Sequence, residues 1–197
     1  MYTAKAKATI SPIDSTKKGI GLVVKTDLFF PIAEALSKTN AFKANALAFT
    51  VEKLLGKRHS VQLTFLDMWS SGNSSYKDSL FDSGKLNNIQ LTGEYKFFVS
   101  KKRKHAGYYI GAFAMYEQLN YTITQSSRPA LIPKTSHGSY YAFGEGLING
   151  VQFYLFKHLT LDCLVGIGRT NIEVANGWKQ KEGDWLGRIA INVGYKF

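Results

Sequence analysis

The chain has 197 residues, of which 45% are hydrophobic and 20% charged, and its formal net charge is +11. This length fits one domain, and the apolar content excludes collagen-like, low-complexity and disordered chains. A mean hydropathy of -0.14 is ordinary for a soluble protein, but transmembrane barrels reach similar values because their lipid-facing and lumen-facing residues alternate.

Eight segments alternate apolar and polar residues with the period of a β-strand. In chain order they span 20–30, 46–55, 59–69, 87–99, 106–118, 140–156, 159–170 and 185–197. Soluble strands are usually about 5 to 6 residues long, whereas a tilted strand needs about 9 to 11 residues to cross a bilayer. In the sixth segment Glu145 and Asn149 share the parity of apolar Val151. We therefore predict a β-bulge within 148–150, which would return Glu145 to the polar face.

The connections between these segments alternate in length. The links at 31–41, 70–85, 119–137 and 171–184 are long, whereas those at 56–58, 101–104 and 157–158 are tight. Short turns at one end and long loops at the other are the layout of an outer-membrane barrel. We predict an all-β, eight-stranded antiparallel up-and-down transmembrane β-barrel over 19–197, preceded by an N-terminal arm over 1–18.

The two faces of these strands differ in chemistry. One face is aliphatic and aromatic, and the other carries charged residues interleaved with glycine: Lys25, Asp27, Glu52, Glu94, Lys96, Glu117, Glu145, Asp162 and Arg188. The apolar faces hold more bulky aromatic residues than an eight-stranded interior accommodates, which favours a lipid-facing apolar surface and a polar lumen. The nine charged residues then predict a network that fills and stabilises the lumen, with a proton or ion path as the alternative. A soluble, lipocalin-like ligand-binding barrel would have the opposite arrangement.

Few residue patterns point to catalysis. The single Cys163 excludes an internal disulfide and a cysteine zinc cluster, and the four histidines have no metal-ligand spacing. We predict no metal, no cofactor and no catalytic residue. The one candidate for a Ser and His pair near the outer surface is His137-Gly138-Ser139, which keeps a lipid A or phospholipid hydrolase or acyltransferase as the alternative. Release of acyl chains, with His137→Ala as the control, separates the two hypotheses.

Basic residues gather in the tight links. They are Lys57, Arg58, Lys101, Lys102, Arg103, Lys104 and Lys157. Such a basic ring at a membrane edge attracts anionic headgroups or an acidic partner, and the alternative is a solvated turn face. Nucleic-acid binding is not predicted, because no strand face interleaves basic residues with exposed aromatic ones.

The last segment, from Arg188 to Phe197, resembles the assembly signal at the end of bacterial outer-membrane barrels, with Tyr195 and Phe197 as its bulky residues. The whole pattern is similar to small barrels of the OmpA and OmpX type. The stretches VKTDL at 24–28, EKLLGKR at 52–58 and EYK at 94–96 resemble a Gram-negative family of unassigned function. The resemblance implies insertion by the barrel-assembly machinery, both termini and the tight turns in the periplasm, and long loops outside.

Together these observations predict an integral outer-membrane protein without an open pore. It would act as a non-enzymatic structural or binding platform, or as an accessory subunit of a larger outer-membrane complex. The expected partners are membrane lipids and lipopolysaccharide. No apolar signal segment follows Met1, and the interpretation we favour is that a signal peptide has been removed.

Overall fold

The computed structural model describes residues 21–28, 42–72, 83–100, 105–125, 134–174 and 184–197. These residues form eight strands, which are β1 (Leu22–Asp27), β2 (Phe42–Leu55), β3 (His59–Gly72), β4 (Ser83–Phe98), β5 (Gly107–Gln125), β6 (Lys134–Leu155), β7 (Leu159–Val174) and β8 (Asp184–Lys196). Each strand pairs antiparallel with the next, and β8 pairs antiparallel with β1, so the sheet closes into a barrel. The predicted eight-stranded up-and-down topology is confirmed. The predicted arm at 1–18 lies outside the described residues.

No helix in the part of the chain that the structure describes is long and apolar enough to span a membrane.

The outer surface of the barrel is apolar and the interior is largely polar. Outward-facing Leu63, Leu147 and Ile167 are 53%, 67% and 59% exposed, whereas inward-facing Lys96 and Asp162 are fully buried. Side chains alternate between the two faces along every strand. A soluble barrel would present its charged face to water, so the soluble lipocalin-like arrangement is wrong. This is the fold of a small outer-membrane barrel, with a lipid-facing apolar wall.

Strand β6 pairs without interruption on both sides. Its register with β5 runs from Gln152 opposite Gly107 to Lys134 opposite Gln125, and its register with β7 is equally continuous. The predicted bulge is therefore wrong. Because the parity never changes, Glu145 and Asn149 lie on the outer wall with Leu147, and the prediction that Glu145 faces the lumen is also wrong.

Strands β5 and β6 extend much farther than the sequence pattern predicted. The segment 119–137 was predicted as a loop, but β5 continues to Gln125 and β6 begins at Lys134. Beyond the membrane both faces of a strand meet water, so the apolar alternation ends while the backbone hydrogen bonds continue. Hydrophobic periodicity therefore detects the membrane-spanning part of a strand and misses its polar extension.

Two of the tight turns share one backbone geometry. The turn after β2 begins at Gly56 with φ of 57°, and the turn after β6 begins at Phe156 with φ of 63°. Glycine adopts this left-handed conformation freely, whereas a bulky residue is strained in it. The Phe156 side chain is 89% exposed, which suits an aromatic residue anchored at the edge of a membrane.

The face assignment can be tested on one strand. Leu91 and Asn87 both face outward on β4, and Leu91 lies nearer the middle of the apolar wall. We expect Leu91→Arg to lower the free energy of unfolding by about 2–4 kcal/mol in lipid vesicles, and Asn87→Arg to lower it by about 0–1 kcal/mol. Urea titration measures both values. Equal losses at the two positions would contradict a membrane that covers Leu91 and ends near Asn87.

Candidate functional site

The lower lumen, at the tight-turn end of the barrel, is organised around the Asp162 carboxylate. Asp162 Oδ2 lies 2.7 Å from Lys25 Nζ and 2.6 Å from Lys96 Nζ. The Tyr109 hydroxyl donates a hydrogen bond of 2.7 Å to Asp162 Oδ1. These four side chains come from β7, β1, β4 and β5, so one carboxylate joins strands from around the whole ring.

Lys25 has a second carboxylate partner. Its Nζ lies 2.7 Å from Glu52 Oε2 on the neighbouring strand β2, and the Ser60 hydroxyl donates to the other oxygen of Glu52. The amide oxygens of Gln62 and Gln152 also accept hydrogen bonds from Lys25, at 3.1 and 2.9 Å. Lys25 is thus surrounded by acceptors, which offsets the cost of burying its charge.

A neutral glutamine links this group to a third ion pair. Gln62 Oε1 accepts a hydrogen bond of 2.8 Å from Lys96, and Gln62 Nε2 donates one of 3.1 Å to Glu94. Glu94 also pairs with the Arg188 guanidinium, which donates to the Thr92 hydroxyl as well. The network holds three cationic and three anionic side chains, so its formal charges balance.

Apolar side chains fill the remaining interior beside this network. Phe98, Tyr109, Phe113, Met115, Ile148, Leu164 and Ala190 form one buried cluster on strands β4 to β8. Two glycines make room for its aromatic rings. A Cβ at Gly150 would lie 2.5 Å from the Tyr109 hydroxyl, and a Cβ at Gly146 would lie 2.7 Å from the Phe113 ring. Polar network and apolar cluster together leave this barrel with a packed interior.

His105 closes the lower mouth of the lumen. The side chain is 6% exposed, its Nε2 lies 3.1 Å from the His59 carbonyl oxygen, and its ring packs edge-on against Phe98. The Gln152 amide donates a hydrogen bond of 3.2 Å to the His105 carbonyl oxygen, which ties this turn to the network. Burial lowers the pKa of His105 and so favours the neutral imidazole.

Not every charged residue predicted for the lumen joins the network. Asp27 and Glu117 face inward but are half-buried and lie nearer the long-loop end. Glu117 accepts a hydrogen bond of 2.8 Å from Asn88. Asp27 Oδ1 accepts one of 3.4 Å from the Ile191 backbone N–H. Glu145 lies on the outer wall, as described above.

The proposed assembly signal and basic turns lie at the lower end. Tyr195 and Phe197 face outward with their rings 5.0 Å apart, and His158 stacks on Tyr195. Lys57 and Lys157 are exposed, whereas the Arg58 guanidinium donates to the carbonyl oxygens of Phe98 and Val99. Lys101, Lys102, Arg103 and Lys104 lie outside the described residues.

Sequence reasoning missed the neutral members of the network. Tyr109, Gln62 and Gln152 are 0–1% exposed and contact the buried charges. Each occupies a position that faces inward according to the alternation along its strand. The sequence pattern therefore predicts the direction of each of these side chains. Formal charge identifies neither an amide nor a phenol as a member of such a network.

The predicted His137 and Ser139 pair lies far from this network, toward the long-loop end of β6. His137 and Ser139 have the same parity; His137 is exposed and Ser139 is half-buried. The nitrogen His137 Nδ1 lies 3.0 Å from the Thr122 hydroxyl on β5. Within the described ranges, no group of three or more His, Cys, Asp or Glu side chains could hold a metal ion.

Comparison with known proteins places the chain in a family. A family model described as "Protein of unknown function (DUF3575)" matches residues 22–193. The chain belongs to this family. No curated protein matches it.

Solved structures similar to this chain include three barrels. The N-terminal β-barrel domain of Pseudomonas aeruginosa OprF is 12% identical over 91% of this chain and 100% of that one, with a TM-score of 0.35. Neisserial surface protein A is 17% identical over 90% and 97%, with a TM-score of 0.41. Ail, the attachment invasion locus protein of Yersinia pestis, is 12% identical over 89% and 95%, with a TM-score of 0.39.

The network predicts a large effect of removing its central acid. Asp162→Asn leaves Lys25 and Lys96 with one carboxylate fewer, and breaking a buried ion pair costs about 3–5 kcal/mol. We expect urea unfolding in lipid vesicles to show a loss of that size. The double variant with Lys96→Met restores equal numbers of positive and negative charges and should recover most of the loss. A double variant as unstable as Asp162→Asn would contradict this account.

Proposed function

We propose that this protein is an integral outer-membrane barrel with a sealed lumen. It acts as a non-enzymatic platform that presents its long connections outside the cell, or as an accessory subunit of a larger outer-membrane complex. The observation that carries the proposal is the packed lumen, in which buried ion pairs centred on Asp162 adjoin a cluster of apolar side chains.

A sealed lumen is what separates a platform from a channel. Eight strands leave an interior just wide enough for side chains, and here those side chains contact one another across the ring. A rigid scaffold that carries variable loops is a common arrangement for recognition, because loops tolerate change while the scaffold holds them in place. The longest connections in the sequence are therefore the segments that would contact a ligand or a partner.

The residues at the two ends of the barrel support the proposed lipid environment. The tight turns carry exposed Lys57 and Lys157, which suit anionic phospholipid headgroups on the periplasmic side. Lipopolysaccharide would surround the opposite end. Tyr195 and Phe197 at the end of β8 would be read by the barrel-assembly machinery during insertion.

Two measurements test membrane insertion and closure separately. An intact barrel should migrate faster than the boiled chain in a detergent gel, because the closed sheet resists unfolding by detergent without heat. Vesicles that contain the barrel should not swell in an isosmotic sugar solution. Swelling at the rate of a porin would contradict the sealed lumen, and the absence of a gel shift would contradict the barrel in detergent.

The orientation predicts which residues are reached from outside the cell. In a Cys163→Ser background, cysteines at Lys77 and Lys179 in the long connections should react with a membrane-impermeant maleimide on intact cells. Cysteines at Lys57 and Lys157 in the tight turns should react only after the outer membrane is permeabilised. Labelling of Lys57→Cys on intact cells would reverse the proposed orientation.

A further inference from the structure

The outer wall of strands β5 to β7 is not uniform. A shallow groove of about 850 Å³ runs along it. Tyr108 and Ile110 lie on one side of the groove, Val165 lies on the other, and small Ala112 leaves its floor low. Lipid chains cover any apolar wall, so the groove alone does not indicate a protein partner. Three polar side chains on this wall, which belong to Asn149, Glu145 and Arg169, do indicate a protein partner.

Asn149 lies on this groove in the middle of the apolar wall. It is exposed, and its amide has no hydrogen-bond partner among the described residues. It is six residues above the lower end of β6 at Leu155, which is roughly 16 Å along the barrel axis for a strand tilted by about 40°. The apolar band of such barrels is about 25 Å tall, so Asn149 lies near its centre. A lipid chain offers this amide neither a donor nor an acceptor, whereas polar side chains at membrane interfaces between proteins bind one another.

Glu145 and Arg169 lie four residues higher on the same wall. They face each other across β6 and β7, and both are exposed. No ion pair joins them among the described contacts. The Arg169 guanidinium instead lies 5.4 Å from the centre of the Trp185 ring. The wall therefore presents an acid and a base side by side near the upper edge of the apolar band, where each attracts an opposite charge from outside.

We propose that this wall binds a second copy of the chain. Two copies inserted in the same direction are related by a two-fold axis parallel to the membrane normal, which keeps every residue at its own height. If the axis lies at the boundary of β6 and β7, Glu145 of each copy faces the partner's Arg169. The symmetry therefore forms two equivalent pairs of opposite charges. The Asn149 amides of both copies then lie at one height within the interface, where an amide can both donate to and accept from a polar partner.

Apolar contacts complete the proposed interface. Leu147 and Ile167 face each other between the Asn149 and Glu145 levels and are among the most exposed apolar side chains of the barrel. Two-fold symmetry places Leu147 and Ile167 of one copy beside the partner's Leu147 and the partner's Ile167. The interface is thus an apolar patch with two amides near mid-height and two ion pairs at its upper edge. It rests on membrane insertion, which is part of the proposed function, and it is independent of what the loops bind.

Cross-linking at matched positions tests the contact. In a Cys163→Ser background, Asn171→Cys lies on β7, twelve residues above Leu159. The matched control Ser71→Cys lies on β3, twelve residues above His59, on the opposite side of the ring. Both positions face outward and are exposed. In vesicles at a low ratio of protein to lipid, a short bismaleimide should join the Asn171→Cys copies at twice the mass of 22.0 kDa, several-fold more than it joins the Ser71→Cys copies.

Charge reversal tests the ion pair and distinguishes contacts between copies from contacts within one. Glu145→Arg gives a wall that is wholly positive, and Arg169→Glu gives one that is wholly negative. Each variant alone should dimerise at least about tenfold more weakly, because like charges across an interface are repulsive. A mixture of the two should cross-link as well as the parent. Pairing of residues 145 and 169 within one chain cannot produce this rescue.

The outcomes separate the two proposals. Equal cross-linking at Asn171→Cys and Ser71→Cys would overturn the interface, as would a mixture no better than its components. Cross-linking of Asn171→Cys in native membranes to a chain of different mass would overturn the second copy as the occupant. The detergent gel shift is read on the same samples. If the gel shift is absent, the proposals of membrane insertion and of the interface both fail. If the gel shift is present, the cross-linking results test the interface alone.

Discussion

One carboxylate holds two lysines and a tyrosine from opposite parts of a ring that is barely wide enough to contain them. Lys25 and Lys96 point into a narrow lumen, where their charges are not solvated by water. Asp162 forms an ion pair with each of them. The other features of the interior follow from this contact. Glu52, Gln62 and Gln152 supply the remaining acceptors, and Gly150 on β6 leaves room for the Tyr109 hydroxyl that donates to Asp162.

The two surfaces of the sheet differ in how their polar side chains are paired. The buried charges of the inner surface pair with charged side chains from other strands, and these contacts stabilise the barrel. The outer surface is apolar and faces lipid, and Asn149 on it has no hydrogen-bond partner among the described residues. A buried charge with partners is thus explained by the fold, whereas a lipid-facing amide without one calls for something beyond it. This difference is why the wall, rather than the lumen, supports an inference about partners.

Alternation of apolar and polar residues was enough to predict eight strands, their antiparallel order and the direction of each face. It also selected the charged residues of the lumen, because parity alone assigns a side chain to one face. It failed at Glu145, where an acid on the apolar face suggested a bulge to remove it, although the unbroken pairing of β6 keeps it outside. Which inward residues contact one another could not be predicted, because that depends on the stagger between strands and on which side chains are long enough to cross the ring.

The central contact also constrains how the barrel can assemble. Lys25 belongs to the first strand and Asp162 to the seventh, 137 residues apart in sequence, so their ion pair cannot form until the last strands have closed the ring. A partly closed sheet in the membrane would carry unpaired ammonium and carboxylate groups in hydrocarbon, and such intermediates are high in free energy. Closure and insertion are therefore coupled. Contacts of such long range also make folding slow, so this chain should spend its folding time in reaching the closed ring and little in the steps that precede it.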